Sequence, residues 1–103
     1  MTDINSHIDA IRKFADARDW GQFHTPKNLA MAIAGEAGEL AAEFQWLTPE
    51  QSSELLEEKL HSISLEIADI AIYLLRLSDV LGIDLNEYIN MKIAINEKRF
   101  PVK

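Results

Sequence analysis

The chain has 103 residues, with 10 basic and 17 acidic side chains giving a formal charge of −7, and no cysteine. The length suits a single domain spanning residues 1–103, and without cysteine there are neither disulfides nor thiolate metal sites, so any metal must bind oxygen or imidazole. A surface this acidic repels a nucleic-acid polymer, yet it leaves room for a small phosphorylated ligand that brings its own cation.

Almost no window alternates apolar and polar residues with period two, so no sheet is expected and the fold class is all-α. Met1-Thr2-Asp3-Ile4-Asn5 has neither the basic nor the apolar region of a signal peptide. No apolar run approaches the roughly 18 residues of a membrane span, so no membrane partner is expected and the cytoplasm is the default location. Four helical segments can be read. The first runs from about Asn5 to Asp19, with Ile4, Ile8, Ile11 and Phe14 or Ala15 on one face. Trp20-Gly21-Gln22-Phe23-His24 breaks that pattern and reads as a loop. Thr25-Pro26 is an N-cap followed by proline at the first helical position, and the second helix continues to about Trp46. Thr48-Pro49-Glu50-Gln51 repeats the start signal with a capping box. The segment from there to about Leu81 is one long helix or a short one joined to a long one. Gly82 is a stop, and Asp84 with Glu87 opens a fourth helix that ends near Phe100-Pro101.

The second helix carries the stripe Leu29, Ile33, Ala37, Leu40, Phe44, Leu47, and the third carries Leu60, Ile63, Ile67, Ile70, Leu74, Leu77, Leu81. Both have the three-four spacing of a packed four-helix bundle. The third helix is apolar on its other sides too, at Leu65, Ala68, Ile72 and Leu75. A helix apolar nearly all round must be buried nearly all round. A monomer this small does not readily achieve that, which predicts self-association.

Four acids stand in matched pairs. Glu36 and Glu39 are three apart on the second helix, Glu66 and Asp69 three apart on the third, and each pair projects from one helix face. Each acid immediately precedes a stripe residue, so the two pairs are expected to flank the seam between the helices, with Glu43 continuing the row. Carboxylates crowded at the edge of a core repel one another and are further penalised by desolvation. A hard divalent cation resolves that conflict, whether Mg²⁺, Mn²⁺ or Ca²⁺. The blander reading is a solvated acidic helix face. Gly35 and Gly38 each cost about 1 kcal/mol relative to alanine within a helix, and their expected use is close approach of a helix or ligand. Glu58-Lys59-Leu60-His61 has the Glu-x-x-His spacing of di-iron bundles, but only one such pair exists and the site needs two.

Gly35-Glu36-Ala37-Gly38-Glu39-Leu40 followed by Glu66-Ile67-Ala68-Asp69 resembles the E-x-x-E…E-x-x-D signature of the MazG-like NTP pyrophosphatases. The resemblance extends through Arg18-Asp19-Trp20-Gly21-Gln22-Phe23-His24-Thr25-Pro26-Lys27-Asn28-Leu29, Phe44-Gln45-Trp46, Tyr73, Lys92 and Asn96-Glu97-Lys98-Arg99-Phe100-Pro101, which look like the dCTP pyrophosphatase branch. It covers about residues 8 to 102. It implies an all-α fold acting as a homodimer or homotetramer, with Mg²⁺-dependent cleavage of a nucleoside triphosphate between the α and β phosphates. It assigns Glu36, Glu39, Glu66 and Asp69 as metal ligands. The chain departs from part of the branch at Ile11, where a histidine that helps at the base pocket is found in some members.

For that reaction, an acid not saturated by metal could orient or deprotonate water; the residues do not single one out, and Glu39 is the candidate taken. Lys27, Lys92 and Arg99, with Arg18, are candidates for the outer phosphates, and Asn96, four residues from Lys92, for sugar or phosphate. Trp20, His24, Trp46 and Tyr73 are candidates for the base, with Phe23 a further aromatic in the same loop. Two other classes compete: a non-catalytic helical interaction module with an acidic face, and a metal-binding bundle that turns nothing over.

Overall fold

The computed structural model describes residues 3–103, so Met1 and Thr2, part of the reading against a signal peptide, lie outside the described residues. It has five α-helices and no strand among the described residues. They are α1 (Ile4–Ala17), α2 (Pro26–Phe44), the short α3 (Pro49–Ser52), α4 (Glu57–Leu81) and α5 (Leu85–Arg99), with a 3-10 turn at Trp20–Gln22. The all-α expectation holds. The open question after Thr48 resolves as a short helix followed by a long one, so the expected third and fourth helices are α4 and α5.

Local signals explain the boundaries. The Asp3 carboxylate accepts from the Ser6 N–H at 2.8 Å and starts α1 one residue before the expected position. Thr25 Oγ1 accepts from the Asn28 N–H at 3.1 Å with Pro26 at the first turn. Thr48 and Gln51 form the reciprocal capping box. Gly82 ends α4 in the left-handed region at φ 70°, and Asp84 caps α5 through the Glu87 N–H. Asp19 also adopts a left-handed conformation, φ 56°, which a short polar residue tolerates. It turns the chain out of α1 so that Trp20 and His24 come back over the helices.

The packed centre lies where α4 meets α2 on one side and α1 on the other. Ala15, Leu29 and Ile63 are its fully buried apolar residues. The expected α4 stripe splits into two rows. Ile63, Ile70 and Leu77 turn inward, whereas Leu60, Ile67, Leu74 and Leu81 remain 44–52% exposed. Ala37 on α2 is exposed. Helical periodicity identifies a wide apolar arc but not which part of it meets a helix of the same chain.

A charged clamp fastens α1 to α4. Arg12 donates from Nε and Nη2 to the two oxygens of Asp79 at 2.8 and 2.6 Å, and Arg76 Nη1 lies 3.5 Å from the same carboxylate. The Arg12 hydrogen bonds hold the Asp79 carboxyl below its ordinary value of 3.8. The stabilisation is therefore present above that value and is lost as pH falls through the lowered one. Asp79→Ala should lower the melting temperature by about 5 °C or more at neutral pH, because it also strands the buried Arg76 without its counter-charge. The same thermal melts near pH 3 should show a smaller difference.

From Asn86 onward every residue is exposed, so α5 projects from the rest of the chain. The radius of gyration is 16.5 Å, against roughly 13 Å for a compact chain of this length. The chain exposes 8159 Å², where a compact monomer of this mass would expose roughly 5,900 Å². No helix among the described residues is long and apolar enough to cross a membrane.

Candidate active site

Glu36 and Glu39 project from the middle of α2 towards α4, where Glu66 meets them. One carboxylate oxygen from each lies within 4.8 Å of the other two. Glu66 does not sit beside the packed row as expected; it is part of it, between Ile63 and Ile70. Its Oε1 is buried and has no hydrogen-bond partner among the described residues. A buried, unpartnered carboxylate oxygen facing two more carboxylates has the donor set and spacing of a divalent-cation site. Asp69, the fourth expected ligand, lies outside this triple, about one turn further along α4. Glu43 is also outside it and pairs instead with Lys59 at 3.1 Å.

The crowding leaves an electrostatic signature. Glu36 first, with burial and Glu39 behind it, pushes the Glu66 carboxyl from 4.5 up to about 7. Between those values the folded chain keeps a proton that the unfolded chain has released. Metal-free stability should therefore fall as pH rises from 4.5 to about 7 and level off above. Saturating Mg²⁺ should reverse the loss above pH 7, because a bound cation replaces the proton. Thermal melts across this range, with chelator and with Mg²⁺, check both signs.

Two hollows flank the triple. One, of about 190 Å³, is lined by Phe14, Ala15, Trp20, His24, Ile72 and Tyr73, with Ile11 and Arg76 in its wall and Glu36 and Asp69 at its rim. Phe14 and Trp20 meet edge to face, ring centroids 5.4 Å apart, and Trp20 stands 6.0 Å from His24 at 65°. Its aromatic lining with a few polar groups suits one face of a small planar ligand. The other, of about 310 Å³, opens on Glu39, Ala42, Glu43, Ser62 and Glu66. The acids thus stand between an aromatic cavity and a second hollow whose wall includes Glu39 and Glu66.

Of the expected base-contacting residues, Trp20, His24 and Tyr73 come together in the aromatic cavity, beside Glu36 and Asp69. Trp46, 86% exposed, lies beyond the end of α2. Lys27 is exposed in the first turn of α2, and Lys92, Asn96 and Arg99 are exposed along α5. None of these five lines either hollow. Arg18 lies over the Phe14 ring, its guanidinium carbon 3.5 Å from the centroid, and Phe23 is 59% exposed and lines neither hollow. Among the described residues nothing beyond their own helix approaches within 4 Å of a Cβ placed on Gly35 or Gly38, so the expected close approach of a helix is not seen there.

Arg76 is a functional candidate that the motifs do not single out. It is only 7% exposed and donates from Nε to His24 Nδ1 at 3.0 Å. A lone arginine inside the apolar run Ala71-Ile72-Tyr73-Leu74-Leu75-Arg76-Leu77 is the available signal, since arginine is rarely buried without a partner. Burial first, and the Arg76 charge second, hold His24 below its ordinary value.

Fold and site together define the class: an all-helical protein in which two adjacent helices offer a carboxylate cluster beside an aromatic cavity. The chain belongs to the MazG-like family, whose model matches residues 31–103. It is 42% identical to a pyrophosphatase from Archaeoglobus fulgidus of known crystal structure, with a TM-score of 0.86 over 91% of this chain and 88% of that one. It is 40% identical over 92 residues to dCTP pyrophosphatase 1 of Bos taurus and 40% identical over 99 residues to that of Homo sapiens. These alignments cover 87% and 86% of this chain but 54% of each relative, so the chain spans about half the length of the curated relatives it matches.

Proposed function

We propose that this chain hydrolyses nucleoside triphosphates to the monophosphate and pyrophosphate, with Mg²⁺ as cofactor and Mn²⁺ as a substitute. Deoxynucleotides, dCTP or modified ones among them, are the proposed substrates, and the role is removal of unwanted nucleotides from a cytoplasmic pool. The observation that carries this reading is the convergence of Glu36, Glu39 and Glu66, with an orphaned buried oxygen on Glu66. Family membership and the names of the relatives support it.

Glu36, Glu39 and Glu66 would hold the cation, with Asp69 joining from the cavity rim. A divalent cation held there supplies charge neutralisation to the polyphosphate and acidifies water. Water attacks the α-phosphorus, the bridging oxygen to the β-phosphorus departs with pyrophosphate, and a carboxylate takes the water's proton. Glu39 suits that last role, being the exposed member of the triple and one that borders the second hollow. Trp20 and Tyr73 offer apolar surface to the base and His24 a polar contact.

Self-association belongs to the same reading. The roughly 2,300 Å² exposed beyond a compact monomer is in the range that permanent subunit interfaces bury. The exposed apolar residues of α5, among them Tyr88, Ile89, Ile93 and Ile95, and the outer row of α4 are the surfaces available. Lys92, Asn96 and Arg99, remote from their own cluster, would reach phosphates or sugar at the cluster of a second copy in a homodimer or homotetramer, with Lys27 and Trp46 closing the same site.

The test is product identity. Common and modified triphosphates, incubated with Mg²⁺, should release pyrophosphate rather than orthophosphate. A non-catalytic interaction module predicts neither product from any of them.

A further inference from the structure

The geometry points to Arg76 as a positioning residue. It fixes His24 in the neutral form protonated at Nε2, so that the loop presents a hydrogen-bond donor, and no acceptor, to the base of the bound nucleotide. This rests on the nucleotide-hydrolysing function proposed above and adds to it the chemistry read at one edge of the base.

A guanidinium nitrogen can only donate. Arg76 Nε lies 3.0 Å from His24 Nδ1, so Nδ1 must contribute its lone pair and the ring proton must lie on Nε2. The arginine has little freedom to do otherwise. It is almost fully buried at mid-helix and its Nη1 is drawn to Asp79. Asp79 is itself clamped by both donors of Arg12. A second proton on the ring would place two cations in hydrogen-bond contact in a partly buried site.

Nε2 makes no hydrogen bond to another described residue. The ring belongs to the wall of the aromatic cavity, edge-on to Trp20. A free imidazole exchanges its proton between the two nitrogens and can offer a donor or an acceptor. A locked one discriminates, since a base edge that also carries a hydrogen leaves two donors opposed. The ligand matched by this wall is a base with an unprotonated ring nitrogen or carbonyl at that edge.

The ring nitrogens of His24 can be read directly by long-range proton–nitrogen NMR on the full ¹⁵N-labelled chain, with His24→Gln identifying its signals among the three histidines. The expected result near neutral pH is a single form with bare Nδ1 and protonated Nε2. Arg76→Met should convert it to an exchanging mixture and raise KM for dCTP about tenfold with kcat little changed, and Arg76→Lys should restore part of both. A wild-type ring protonated at Nδ1 or at both nitrogens would overturn the assignment, as would an Arg76→Met protein with unaltered tautomer and KM. If Arg76→Met does not fold, the wild-type spectrum decides alone. Since that spectrum is recorded without nucleotide, a failure to hydrolyse any triphosphate would be a separate observation against the parent reading.

Discussion

Glu66→Gln should abolish turnover and, in the same protein, raise the melting temperature of the metal-free chain. The two effects have opposite sign because one group causes both. Glu66 occupies a position in the packed row of α4 that an apolar residue would ordinarily fill, and there it faces two more carboxylates. Without a cation that arrangement is repulsive, as the carboxyl pushed up to about 7 records. Glutamine keeps the shape and removes the charge, so the empty site relaxes. It also removes a ligand, so Mg²⁺ should no longer raise the melting temperature and kcat/KM should fall by at least about a hundredfold. Glu39→Gln provides the contrast: it should cost comparable activity with a smaller rise in metal-free stability, because Glu39 is exposed and is a lesser cause than Glu36 of the shift at Glu66. Melts with and without Mg²⁺, beside pyrophosphate-release rates, separate the cases. A Glu66→Gln chain that is less stable without metal than the parent would show that the carboxylate is held by something other than a cation.

Ile95→Lys on α5 should leave the chain unable to assemble and largely inactive. Within one chain the substitution costs almost nothing, since residue 95 lies on a helix whose exposed residues touch little of the core. Any loss must therefore come from contacts with another copy. A lysine placed in an apolar interface carries an unpaired charge out of water, enough to shift association by several orders of magnitude. Sedimentation should show the parent chain as a dimer or tetramer and the variant as a monomer. The parent's melting temperature should rise with concentration and the variant's should not. A variant of unchanged mass and activity would leave α5 without the proposed role.

The contrast between Glu66 and Ile67 shows where the sequence was readable. Paired acids at three-residue spacing on two helices, and caps such as Thr25, Thr48, Asp84 and Gly82, are local signals, and local chemistry makes them legible. The meeting of Glu36, Glu39 and Glu66 was also foreseeable, because the two helices are amphipathic along matching registers. The rotation of α4 was not. Ile63, Glu66 and Ile70 turn inward while Ile67 stays outside, a difference of a fraction of a helical turn that periodicity alone does not fix. Arg76 is illegible for a related reason: its meaning lies in His24, 52 residues away. The α5 residues Lys92, Asn96 and Arg99 are candidates by charge and spacing as well as by resemblance, and a single chain does not bring them to the acids.

The acids stand on mid-helix turns, not on loops. Their spacing is consequently not adjustable by side-chain choice alone; it is set by how far apart two helices lie. Ile63, buried one turn before Glu66, acts as a spacer in this sense. Shaving it to valine would let α4 settle towards α2, and the affinity for the ion would change at a residue that never touches it. Ion capture and interior packing are two readings of one mechanical coordinate.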